Sequence, residues 1–138
     1  MYLYKTAVFV IFLVFSHFAA AEVAVIVNKG NSSELNKATI KRMYLNKIKA
    51  FPSGVSLKTA GLTATDPITG EFYKQVLGKS AAQLKAYWSK ALFTGVGVPP
   101  KELESSEAVI ELVKSDESVI AFIDSAKVTE DVRVVATF

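Results

Sequence analysis

The apolar positions divide the chain into short blocks separated by polar turns. Residues 23–27 (VAVIV) form an unbroken β-branched run, the pattern of a strand buried on both faces. A polar loop follows from Asn28 to Ser33. Asn36 then predicts a helix N-cap, with Ile40, Met43 and Tyr44 spaced to share one face. Phe51-Pro52-Ser53-Gly54 has turn chemistry, and the alternation from Val55 to Thr59 predicts a second strand.

Asp66-Pro67 predicts a helix start, with Asp as cap and Pro at the first helical position. Ile68, Phe72, Val76 and Leu77 supply its apolar stripe, and Gly78 ends it. Ser80-Ala81-Ala82-Gln83 has the form of a capping box. Leu84, Tyr87, Trp88, Ala91 and Leu92 behind it predict an amphipathic helix. After an irregular Gly/Pro loop (94–100), a fourth helix is expected from Ser105 or Ser106, with Val109, Leu112 and Val113 inward and Glu107 set against its dipole. Ser118–Ile123 and Val132–Ala136 are two further short strands. Strands separated by helices imply crossovers, hence an α/β fold with a mostly parallel sheet covered by helices on both sides.

The N-terminus has a different character. Lys5 precedes an apolar run from Thr6 to Phe15, and Ala19-Ala20-Ala21 supplies small residues for a signal peptidase. We read residues 1–21 as a cleavable signal peptide and 22–138 as one domain exported to the periplasm. The apolar run is shorter than the ~20 residues a membrane span needs, although an uncleaved anchor is the alternative. Removing 21 of the 138 residues leaves 117, with 15 Lys and Arg against 13 Asp and Glu. His17 lies in the segment removed and the chain has no Cys. His- or Cys-based catalysis and thiolate or imidazole metal sites are therefore absent from the mature chain. With no paired carboxylates in view either, the sequence predicts a non-enzyme without cofactor or metal. Its small positive charge is no nucleic-acid footprint.

Ile40–Lys47 with Phe51-Pro52-Ser53-Gly54 is similar to the I-x-x-I-F-L-G-K … F-P-x-G region of the family of periplasmic phosphate-binding-like proteins of phosphate ABC transporters. Phe72-Tyr73-x-x-Val76-Leu77-Gly78-Lys79-Ser80 is similar to its F-Y-x-x-V-L-G-K-S. Tyr87-Trp88-Ser89, Phe93-Thr94-Gly95 and Pro99-Pro100 resemble its Y-W-S … F-T-G-x-G-x-P-P. The resemblance covers nearly all of residues 23–136. It implies a type II periplasmic-binding fold, and the length fits one lobe where full-length members close two lobes on a ligand. It further implies a solute-binding-like protein, binding phosphate or a similar oxyanion beside an ABC transport system. The alternative is a protein-interaction or sensory module, docking on a transporter or sensor, that kept the fold and lost the ligand.

The departures from the family lie in its ligand motif. Where that family carries Arg-x-Asp-x-Ser-Gly-Thr, this chain has Ala64-Thr65-Asp66-Pro67-Ile68-Thr69-Gly70, keeping only the Asp. The Gly of F-L-G-K is Asn46, and G-x-I-G-Y becomes Ser118-Val119-Ile120-Ala121-Phe122.

An oxyanion site needs backbone amides at a helix start together with hydroxyl donors. Two places offer them. The loop before the Asn36 helix carries Ser32 and Ser33 beside Lys29 and Gly30, set against an ordinary capped connection. The start of the Phe72 helix carries Thr63, Thr65, Asp66 and Thr69. There the resemblance implies that Asp66 accepts a proton from phosphate, and the competing role is an N-cap. Both loops follow strands, so they are expected near one another at the carboxyl ends of the sheet. Tyr87 and Trp88 are expected in the core, and Arg42 on a solvated face. The sequence leaves the oligomeric state open.

Overall fold

The computed structural model describes residues 21–138. All but the last residue of the expected signal segment lies outside the described residues. The elements in chain order are β1 (Val23–Asn28), α1 (Lys37–Tyr44), β2 (Lys58–Leu62), α2 (Pro67–Phe72), α3 (Ala81–Thr94), β3 (Lys101–Leu103), α4 (Ser106–Ser115), β4 (Val119–Asp124) and β5 (Val132–Thr137). A π-helical turn, Tyr73–Leu77, prolongs α2, and a 3-10 turn follows β4.

The five strands form one sheet in the order β3-β2-β4-β1-β5. β2 runs parallel to β3 and β4, while β1 runs antiparallel to both β4 and β5. Four strands therefore point one way and β1 alone points back, which gives the mostly parallel sheet expected. β1 and β4 are buried at five successive positions each, which requires both sheet faces to be covered. On one face Phe122 of β4 stacks on Phe72 of α2, ring centroids 4.2 Å apart, and Tyr44 of α1 meets Phe72 edge-on at 4.6 Å. The other face is covered by α4, which packs along β4, β1 and β2.

The expected caps form. Asn36 Oδ1 accepts from the Thr39 amide at 2.9 Å. Ser80 and Gln83 make the reciprocal capping box at 3.2 and 2.9 Å. Ser105 Oγ accepts from the Ala108 amide at 3.1 Å. Gly78 and Gly95 close α2's continuation and α3 in the left-handed conformation.

Three expectations need correction. The second strand is Lys58–Leu62 rather than Val55–Thr59. Residues 55–57 instead fold back on the preceding turn, through Phe51 N–H to Val55 O and Leu57 N–H to Lys49 O. The short edge strand β3 falls between the Gly/Pro loop and the fourth helix, where no strand is expected. The stripe on α3 is only partly packed: Leu84 and Ala91 are buried and Tyr87 and Trp88 half-buried, but Leu92 is 55% exposed. Tyr87 still anchors the helix, its hydroxyl donating to Leu45 O at 2.6 Å. Asn46 occupies the left-handed region, φ 59°, so the position that carries Gly in the resembling family keeps a Gly-like conformation here. Its side-chain amide donates to Val98 O at 3.1 Å and fastens the Gly/Pro loop.

Candidate functional site

The antiparallel β1 sends its loop to the opposite end of the sheet from the loop after β2. Val27 is level with Ile120, whereas Ala60 is level with Ala121 and Leu62 points onward past it. The two candidate loops thus stand roughly 13 Å apart along the strands and roughly 10 Å across them. Ser32 and Ser33 do not converge with Thr63, Thr65, Asp66 and Thr69. Equal position after a strand brings two loops together only when the strands run the same way.

The loop after β1 is tied down by its own side chains. Asn28 Oδ1 accepts from Gly30 N–H at 2.8 Å, and its amide nitrogen donates to the Val113 and Lys114 carbonyls that end α4. Asn31 Oδ1 accepts from Ser33 N–H at 3.0 Å. Arg133, on β5, donates to the Asn31 and Ser33 carbonyls at 3.1 and 2.8 Å. The Gly30 and Ser33 amides are thus spent on Asn side chains, and Ser33 is buried. The guanidinium contact with these carbonyls has no local sign in the sequence, because it spans about a hundred residues.

The loop after β2 is the more open of the two. Thr63 and Thr65 stand with their hydroxyl oxygens 3.3 Å apart, Thr63 half-buried and Thr65 exposed. Asp66 caps α2: Oδ1 accepts from Ile68 N–H at 2.9 Å, while Pro67 has no N–H to offer. Thr69 turns inward, its hydroxyl donating to Thr63 O at 2.7 Å and Leu62 O at 3.2 Å. Thr69 therefore holds the loop in shape, and the groups left without a backbone hydrogen bond are the two hydroxyls and the second Asp66 oxygen. Nearby, burial and the Glu102 charge raise the pKa of Tyr73.

At the other end of β2 lies a larger hollow, about 430 Å³, between the end of α1, β2 and α4. Its mouth carries the Lys58–Asp116 ion pair, 3.1 Å. Hydrogen bonds from the Ser118 hydroxyl and amide, and then from Lys58, hold the Asp116 carboxyl at about 2, below its ordinary 3.8. The charged form therefore stabilises the fold above the ordinary value, and that contribution is lost as the pH falls through about 2. Asp116→Asn is expected to lower stability near neutrality by up to about 1 kcal/mol, since the pair is largely solvated. Urea titrations of both proteins should show the gap closing on acidification.

Among known proteins, no family model matches the chain and no curated protein matches it. Solved structures do. An ABC-type phosphate transport receptor from Vibrio cholerae superposes with a TM-score of 0.63 at 15% identity, over 83% of this chain and 46% of that one. A putative phosphate ABC transporter substrate-binding protein from Clostridium perfringens, solved with bound phosphate, gives 0.63 at 20% identity, over 83% and 45%. A possible phosphate-binding protein from Planctomyces limnophilus gives 0.61 at 10% identity, over 83% and 41%. The chain spans less than half the length of these structures. The likeness establishes the fold: one lobe of the periplasmic-binding type.

Proposed function

We propose that this single lobe, residues 22–138 freed of a signal peptide at 1–21, is a periplasmic solute-binding-like protein that engages phosphate or a similar oxyanion beside an ABC transport system. Shared fold with one lobe of phosphate-transport receptors is the observation that carries the proposal. Binding without catalysis fits a described chain with no His or Cys. The Thr63 and Thr65 hydroxyls donate to the anion, and the second Asp66 oxygen accepts from a protonated phosphate oxygen. Such an acceptor favours phosphate over sulfate, which carries no proton near neutrality. A half-cleft leaves most of the ligand in water, where a closed pocket covers the greater part of it, so affinity is modest unless another chain covers the site.

A second reading, an interaction or sensory module that has lost the ligand, draws on the Asp66 cap, the missing Pro67 amide and the inward Thr69 hydroxyl. Calorimetric titration of the chain with phosphate, sulfate as control, separates the two. Saturable heat with phosphate, abolished in Thr63→Ala/Thr65→Ala, is expected. Absence of heat up to millimolar phosphate from a folded protein would overturn phosphate capture and leave the second reading.

A further inference from the structure

The hollow whose mouth carries the Lys58–Asp116 pair is a break in the cover of one edge of β2. Leu57 N–H donates to Lys49 O, and Lys58 N–H donates to Ser118 O on the other side. Strand alternation then turns the Thr59 N–H back toward the Lys49 side. The segment ending at Lys49 stops level with Leu57, and β3 begins only at the pair Ala60–Lys101. Between them the edge of β2 is bare for about two residues, roughly 7 Å. That is too short for an added strand from a partner, and long enough for one small headgroup to take the unpaired Thr59 N–H.

The surroundings have two characters. Met43, Ile48, Leu57, Leu112, Val98 and Val119 form apolar walls. Lys49, Lys58 and Lys101 stand exposed around the opening, against Asp116 alone. Since Asp116 is taken by Lys58, Lys49 and Lys101 make no ion pair among the described residues. A volume of about 430 Å³ lies within the range of small-molecule sites. Inorganic phosphate would leave the apolar walls uncovered, and a cation would meet a mouth with an excess of two positive charges.

We propose that this notch binds a medium-chain organic carboxylate. Its tail lies on the Met43, Ile48, Leu57 and Leu112 walls, and its carboxylate accepts from the Thr59 N–H between Lys49 and Lys101. The site stands at the opposite end of β2 from Thr63 and Thr65, so it is independent of the oxyanion reading.

The test is titration of the ¹⁵N-labelled chain with octanoate, followed by amide shifts, with octyltrimethylammonium as a probe of equal tail and opposite charge. Saturable shifts centred on Ile48, Thr59 and Lys101 are expected, with Kd below about 1 mM. Lys49→Glu/Lys101→Glu, two exposed changes that leave the core untouched, should weaken binding about fivefold or more. Added phosphate should not compete. The proposal is overturned by failure of octanoate to saturate, by equal binding of the ammonium probe, by shifts centred elsewhere, or by unchanged affinity in the double variant.

Discussion

Gly61→Ala is expected to destabilise the protein by about 3 kcal/mol, the upper end for overpacking a well-filled interior. Gly61 lies in β2, at a backbone conformation any residue can adopt, so the cost is steric. A methyl group there would overlap the Phe122 ring, with Cδ1 at 2.7 Å and Cε1 and Cζ closer still. The ring has nowhere to go: it stacks on Phe72 at 4.2 Å with an interplanar angle of 12°, and Tyr44 stands 6.0 Å away. All three rings are buried. Moving Phe122 therefore displaces the seam between the sheet and α1 and α2 together. Urea denaturation of the two proteins measures the effect. Phe122→Leu in the Gly61→Ala background should recover part of the loss, because it removes Cε1 and Cζ, the two atoms in closest conflict, giving a coupling between the two sites. A loss below about 1 kcal/mol would show that the ring can shift, and would refute the account.

Gly61 also explains why alternation alone places the second strand too early. A strand read from alternation is drawn to Val55–Thr59 and away from Lys58–Leu62, whose glycine lowers its strand character. The glycine is there because a ring needs its space, and that need is set by Phe122, sixty-one residues onward. Features written locally were legible: the Asn36 and Asp66 caps, the Ser80 box, the Gly78 stop and the unbroken VAVIV run each depend on neighbours within a few residues. Features set by distant pairing were not. The reversed direction of β1 comes from its ladders with β4 and β5. It separates Ser32 and Ser33 from the threonines at α2. At the candidate site itself, residue types were legible and their duties were not. Thr63, Thr65 and Thr69 look alike in sequence, yet the hydroxyl of Thr69 is turned to the backbone while the other two stay at the surface.

Phe72→Ala is expected to have the largest effect of any single truncation described here, about 3–5 kcal/mol. Phe72 is fully buried and touches both aromatic partners. Its removal leaves a cavity that Tyr44 cannot easily fill, since the Tyr44 hydroxyl is committed to Ala60 O at 2.8 Å and Ile120 O at 3.3 Å. That commitment joins α1 to β2 and β4, and burial raises the pKa of the hydroxyl well above its ordinary value, so it stays a donor. For a domain of this size, a loss of 3–5 kcal/mol removes a large part of a total stability of roughly 5–15 kcal/mol. Phe93, of the same chemistry, is the internal control. It is 93% exposed at the end of α3, and Phe93→Ala should change stability by no more than about 0.5 kcal/mol. Thermal or urea unfolding of both variants decides the matter. The consequence reaches function, because Phe72 closes the helix whose first turn shapes Thr63 to Asp66. A Phe72→Leu variant, which keeps most of the apolar contact, should lose phosphate affinity only insofar as that first turn shifts. If phosphate heat survives in Phe72→Leu but vanishes in Thr63→Ala/Thr65→Ala, the hydroxyls act on the ligand directly. If both changes abolish it alike, the helix start must be held rigidly for the site to exist.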